Sequence, residues 1–271
     1  VLRRRWLVWA ALAATVPLAA DSFKFTTRSR EKVLERLHLA TRSNEKRQAH
    51  MEQLFRDAGC SDSLTFLKVK SVKQPNIVCE YPGESESVIL VVAHFDAAGK
   101  GHGAADNWSG AALLPSLYED MKKEPRKHRF QFVSFSGEEV GLIGSKQFVS
   151  KLTKEERERI QAVVNMDTLG LSDTKIWISH SEPKLTNMLI GVAKALQFPV
   201  SGMNVEQVGT SDSQSFKRQK IPVIDVHSVT QETLPILHSE RDVVASIDEE
   251  AYWKTYQLVS AYLVYLDRQL P

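Results

Sequence analysis

The chain has 271 residues, 42% hydrophobic and 25% charged, with 35 basic against 33 acidic residues. That size suits one large globular domain or two small ones. A near-neutral balance excludes the basic footprint of a nucleic-acid binder or of a protein held to an anionic membrane.

The first twenty residues, VLRRRWLVWAALAATVPLAA, stand apart from the rest. Arg3, Arg4 and Arg5 precede an apolar run from Trp6 to Ala20 that ends in small residues. This is the pattern of a signal peptide cleaved after Ala20, which leaves an exported domain over 21–271 with a periplasmic or extracellular location. The run is about 15 residues long, short of the roughly 20 that a spanning helix needs, so no membrane insertion is expected after cleavage.

Residues 29–58 read as helical. Val33, Leu34 and Leu37 form one apolar face, Met51, Leu54, Phe55 and Ala58 another, and Gly59 is the stop. LTFLKVK (64–70) and NIVCEY (76–81) read as a hairpin turning near 71–75. In that register Cys79 faces about Leu67. Cys60 then lies too far along the strand for a disulfide, although an oxidising compartment would permit one.

SVILVVAH (87–94) is a continuous apolar run, the mark of a strand buried on both faces. HRFQFVSFSG (128–137), QAVVNMD (161–167), TKIWIS (174–179) and IPVIDVHS (221–228) read as further strands. Between and after them, 107–124, 141–152, 154–161, 182–197 and 248–270 read as helices, with Thr153 and Glu156 forming a capping box. In the last helix Tyr252, Tyr256, Val259, Leu263 and Leu266 fall at helical spacing and read as core. Buried strands alternating with helices imply a single α/β domain, its mixed, mostly parallel central sheet flanked by helices on both faces. The hairpin should extend one edge in mixed fashion.

Ligands of open α/β sheets bind outside the carboxyl ends of the strands. Strand 87–94 ends in His94, with Asp96 two residues on, and the loop after it carries Asp106. Strand 128–137 runs into Glu138 and Glu139, strand 161–167 ends in Asp167, and the loop after 221–228 carries His238. Each motif alone is bland: adjacent glutamates at a helix start, for example, usually just favour the helix dipole. Together they gather five metal-competent groups, His94, Asp106, Glu139, Asp167 and His238, at one sheet edge. Imidazole and carboxylate without thiolate suit zinc or a similar divalent ion, and five donors suit two ions sharing one carboxylate. Glu138 beside them remains free to carry a proton. His102, flanked by glycines, reads as a loop residue, His227 as packing or support, and Trp108 as either a pocket floor or helix packing.

The stretches VVAHFDAAGKGHGAADNWSGAALL, FVSFSGEEVGLIGSKQFV, VVNMDTLG, GTSDSQSFKRQKIPVIDVHS and LHSERD, spanning about 88–242, resemble the dizinc aminopeptidases of metallopeptidase family 28. Bacterial leucyl aminopeptidases belong to that family, and glutaminyl cyclases share its fold. The resemblance implies the zinc exopeptidase fold and two Zn2+ ions per chain. It places one ion on His94 and Asp167, a second on Glu139 and His238, and Asp106 between both. It makes Glu138 the general base, has Asp96 orient His94, and points to a cis peptide before Asn107. The implied activity is hydrolysis of N-terminal residues from peptides with a free N-terminus, through a metal-bridging water. The alternatives are a glutaminyl cyclase with a single zinc and a non-catalytic binding module on the same fold. One departure bears on specificity: the family usually has Ser-Asp-His where this chain has Ser211, Asp212 and Ser213.

Overall fold

The computed structural model describes residues 24–206 and 209–271; the expected signal segment at 1–20 lies outside them. Two helices come first, α1 (Arg30–Leu37) and α2 (Asn44–Asp57), capped by the hydroxyls of Ser29 and Ser43. They are followed by β1 (Leu64–Leu67), β2 (Asn76–Tyr81), β3 (Val88–His94), α3 (Ser109–Met121), β4 (Arg129–Phe135), α4 (Ile143–Lys151) and α5 (Lys154–Arg159). The remainder is β5 (Ile160–Met166), β6 (Lys175–Ile176), α6 (Pro183–Leu196), β7 (Ser201–Gly202), α7 (Ser213–Lys217), β8 (Val223–His227) and α8 (Glu249–Gln269). The capping box at Thr153 and Glu156 forms as expected and opens α5.

The strands make one sheet in the order β1-β2-β4-β3-β5-β8-β6-β7. The centre, β4-β3-β5-β8, is parallel, while β1 and β2 add antiparallel to one edge. Alternation along β3 divides its side chains between two faces. Ile89, Val91 and Ala93 pack under α1, α2, α3 and α8, whereas Val88, Leu90 and Val92 join Phe135, Phe148 and Phe216 beneath α4 and α7. The parallel centre points His94, Glu138 and Asp167 out of the same sheet edge, which is why the fold can assemble a site there.

Two expectations need correction. TKIWIS is not a full buried strand: β6 has only two residues, runs antiparallel to β8, and gives way to a 3-10 turn at Ile178–His180. Cys60 and Cys79 do pair, with Cα atoms 6.1 Å apart. The hairpin register explains why. Cys79 lies opposite Leu64, not Leu67, and β1 ends at Leu67, so the turn after α2 brings Cys60 within bridging distance.

Trp108 is also resolved in favour of packing. It is fully buried, and its indole N–H donates to the Arg36 carbonyl at 2.9 Å, under α1 and away from the cavity described below. Tyr252, Tyr256, Val259, Leu263 and Leu266 are core residues, as their spacing predicts.

Asp120 of α3 sits in this core. Its Oδ2 accepts hydrogen bonds from the Tyr256 hydroxyl at 2.6 Å and the Ser260 hydroxyl at 2.9 Å. Burial pushes its carboxyl up to about 6, against the pull of these bonds and of Lys123 and Arg28. The folded state therefore holds this proton more tightly than the unfolded chain, whose aspartates titrate near 3.9. Stability from this group is present below pH 4 and lost as pH rises towards 6. Relative to Asp120→Asn, the wild type should lose roughly 2 kcal/mol of unfolding free energy between pH 4 and 7. Denaturant titrations at several pH values check this, and a difference that stays flat or grows with pH refutes it.

The disulfide closes a loop with a sequence separation of 19 residues. The double substitution Cys60→Ala with Cys79→Ala should cost about 3 kcal/mol in chemical denaturation. A stability insensitive both to reduction and to the double substitution would show that the bridge does not form.

Candidate metal centre

Asp106 lies in a tight turn between β3 and α3, and its two carboxylate oxygens face two different imidazoles. Oδ1 is 3.3 Å from His94 Nε2, and Oδ2 is 3.0 Å from His238 Nε2. On one side His94 Nε2 is also 3.5 Å from Asp167 Oδ1 and 3.9 Å from Glu138 Oε2. On the other, His238 Nε2 is 3.1 Å from Glu139 Oε2. The donor atoms form two clusters, His94 with Glu138 and Asp167, and Asp106 with Glu139 and His238. All six residues singled out at the strand ends are thus brought together.

The turn that presents Asp106 is built from parts that sequence reading missed. The Asp242 carboxylate accepts from the backbone N–H groups of Ala105 at 2.6 Å and Asp106 at 3.1 Å. The buried Arg47 guanidinium of α2 donates to the carbonyls of Phe95 at 2.7 Å, His102 at 2.6 Å and Gly103 at 2.5 Å. The Asn107 side chain donates to the Met166 carbonyl at 2.8 Å and accepts from the N–H groups of Gly110 at 3.0 Å and Thr168 at 3.1 Å. It therefore ties the Asp106 turn to the end of β5, where Asp167 stands. Gly110 is required by this closeness, because a Cβ there would lie 2.5 Å from the Met166 carbonyl oxygen. The Asp106–Asn107 peptide is cis.

Asp96 stands beside His94 and also holds the two glutamates. Its Oδ1 accepts from the Glu138 N–H at 3.1 Å and its Oδ2 from the Glu139 N–H at 3.2 Å, so one carboxylate fixes the backbone of both glutamates. His94 Nδ1 lies 3.3 Å from the Asp96 main-chain oxygen and 3.6 Å from Oδ1. Backbone strain marks the same region: Thr168 has φ 62° and His238 φ 54°, a conformation that costs a β-branched residue most.

The electrostatics are those of crowded, desolvated carboxylates. Burial alone would push His94 down, but Glu138, Asp167 and Asp106 hold it well above its ordinary value. The bonds of His238 to Asp106 and Glu139 lift it to about 10. Burial would raise Asp106, yet the two imidazoles outweigh it and hold that carboxyl well below the usual range. Burial also lifts Glu138 to about 10, with Asp212, Asp167 and Asp106 adding to the shift and His94 opposing it. The buried atoms His94 Nε2 and Glu139 Oε1 have no hydrogen-bond partner. Convergent imidazole and carboxylate donors with buried atoms left unbonded fit a divalent cation at each cluster.

The site opens into a cavity of about 380 Å3 whose walls include Trp177, Leu234, Leu237 and His227. His102 is exposed at the far side of the Arg47 latch, with its backbone tied to Asp242 and Arg47, and it does not line the cavity. His227 is a supporting residue: one ring nitrogen lies 3.0 Å from the Met203 carbonyl and the other accepts from the Val229 N–H.

Residues 76–263, more than two thirds of the chain, match the model of Peptidase family M28. The chain belongs to peptidase family M28. Among its relatives, Aminopeptidase YwaD of Bacillus subtilis (strain 168) is 28% identical over 206 residues, which cover 72% of this chain and 42% of that protein. The structure of BSAP, a zinc aminopeptidase from Bacillus subtilis, superposes with a TM-score of 0.64 at 24% identity, over 70% of this chain and 49% of that one. The glutaminyl cyclase of Fimbriiglobus ruber superposes at 0.73 and 18% identity, over 90% of this chain and 97% of that one. The chain spans about half the length of the curated relatives it matches. At these identities the likeness to both structures is one of fold.

The latch around Asp106 is testable without a substrate. Asp242→Ala strands two buried N–H groups, which should cost about 2–5 kcal/mol in denaturant unfolding. Asp242→Asn retains one acceptor oxygen and should recover a measurable part of that loss. A loss below 1 kcal/mol for the alanine variant would mean that Asp242 does not carry the turn.

Proposed function

We propose that this M28 chain is an exported metallo-aminopeptidase that removes N-terminal residues from peptides with a free N-terminus. The observation that carries the reading is the Asp106 carboxylate, whose two oxygens face histidines belonging to two donor clusters. On this reading His94 and Asp167 hold one zinc ion, Glu139 and His238 hold a second, and Asp106 is shared. Two bound ions would polarise the scissile carbonyl, acidify a water between them and draw the Glu138 carboxyl back down from its raised value.

Glu138 is the residue left to move protons. Its neighbour Glu139 faces His238, while Asp96 fixes both backbones, so the pair diverges and Glu138 keeps a separate task. It takes the proton of the attacking water and delivers it to the leaving amine nitrogen. Asp96 is a positioning residue in this scheme. The Cys60–Cys79 bridge supports an oxidising compartment, in line with a signal peptide at 1–20 ahead of a catalytic domain at 21–271. Among the described residues no helix is long and apolar enough to cross a membrane.

A second reading is glutaminyl cyclase activity, favoured by one observation. The Fimbriiglobus ruber enzyme is covered over 97% of its length, whereas the zinc aminopeptidase from Bacillus subtilis is covered over 49%. The likeness in fold therefore extends over nearly the whole of the cyclase, while the double donor cluster supports hydrolysis.

Aminoacyl amides and their N-blocked counterparts, supplied with and without zinc, separate these readings. Hydrolysis of the unblocked amides only, with two zinc ions per chain by metal analysis, is the expected outcome. Glu138→Gln should lower kcat by about 100-fold or more with metal content retained. Loss of metal in that variant would place Glu138 among the ligands. Cyclisation of N-terminal glutamine with a single ion would establish the second reading.

A further inference from the structure

The turn that presents the two glutamates is held by a cation without a counter-charge. Lys146 lies in the first turn of α4 and is exposed, and its Nζ donates to the Gly141 carbonyl at 2.8 Å. Among the described residues it has no carboxylate partner. Helix stability does not account for it, because the macrodipole disfavours positive charge at the start of a helix. An ammonium carries three donors, so the others stay open to a ligand.

Position gives this ammonium a task. Gly141, whose carbonyl it holds, lines the cavity together with Glu138 and Glu139. The Gly141 N–H donates to the Glu138 carbonyl at 2.9 Å, a turn that keeps the two Cα atoms within about 7 Å. Val140 is 66% exposed, so the outer side of this turn is open to solvent. On the aminopeptidase reading Glu138 delivers its proton to the leaving nitrogen, which must then come within roughly 3 Å of that carboxyl. In a dipeptide the terminal carboxylate follows the nitrogen after a single Cα, within about 4 Å. The flexible four-carbon stem of lysine spans the remainder. No lysine or arginine lines the cavity among the described residues, whereas the carboxylates of Asp106, Glu138, Glu139 and Asp167 do. A substrate carboxylate approaching that group is favoured by a cation on its own side.

We propose that Lys146 receives the C-terminal carboxylate of a dipeptide, which makes dipeptides with a free C-terminus a preferred substrate class. The proposal rests on the aminopeptidase reading and names the substrate class of that site. Leucyl-leucine against leucyl-leucinamide isolates the charge, since the two differ by a carboxylate in place of an amide.

The two leaving amines differ in basicity, so the readout is the change that a substitution makes in the ratio of kcat/KM for the dipeptide to kcat/KM for its amide. For the zinc-loaded full chain, Lys146→Gln, which keeps a donor and removes the charge, should lower this ratio by about 5-fold, mainly through KM. Lys146→Glu, which reverses the charge, should lower it further. An unchanged ratio in either folded variant overturns the proposal; if one does not fold, the other decides. If neither compound is cleaved, the peptidase reading fails, and calorimetry of the same two compounds still decides the role of Lys146. Dipeptide binding weakened about 5-fold relative to the amide in Lys146→Gln supports it, and an unchanged ratio of Kd values refutes it.

Discussion

A single carboxylate that must face two ways organises this site. Asp106 can present Oδ1 to His94 and Oδ2 to His238 only if its backbone is held from several directions at once. Asp242 grips the N–H groups before it, Arg47 grips the carbonyls of the loop that leads to it, and Asn107 ties the start of α3 to β5. None of these three side chains faces the cavity. They turn a loop, ordinarily the most variable part of a fold, into a fixed part of the scaffold.

The cost of that arrangement is a large buried polar network. Arg47 is desolvated enough to bring its guanidinium down to about 10, and it stays charged because Asp96, Asp106, Asp242 and Glu139 surround it. Removing one partner of such a network leaves another buried and unpaired, which is costlier than never having had either. The carboxylates at the sheet edge are in the same position. They repel one another and are poorly solvated, so their sum is favourable only with positive charge among them. Arg47 supplies part of it from beneath. The proposed cations would supply the rest from above, which makes the free site a preorganised sink for divalent ions.

Much of this was legible in the sequence, because the parallel strands are buried on both faces and read as unbroken apolar runs that end abruptly in His94, Glu138 and Asp167. A strand end is a topological address, so residues far apart in the chain could be placed side by side without coordinates. The latch was not legible. Arg47 falls on a helix rich in charge, where an arginine is ordinarily solvated, and nothing local distinguishes it from Arg56 of the same helix. Asp242 sits in the same stretch as His238, and only the fold shows that it reaches back to Ala105. The cysteine pair failed for a related reason: bridging depended on a hairpin register, and a shift of three residues reverses the conclusion.

The departure at Ser213 has a physical consequence that joins these threads. A smaller side chain there leaves room against β8, and the space is taken from the opposite side by His180. Its ring stacks on Trp177 at 3.9 Å and reaches Ser213 at 3.3 Å. An imidazole from a different loop thus packs beside Ser213. Stacked on Trp177 and facing Gln214 at 3.1 Å, that ring is fixed in position. It buttresses the wall of the cavity from outside, with Trp177 in between. The Ser213 hydroxyl, shared between His180 and the buried Asp225 carboxylate, therefore ties the loop after β6 to β8 and fixes the wall from which Trp177 faces the cavity.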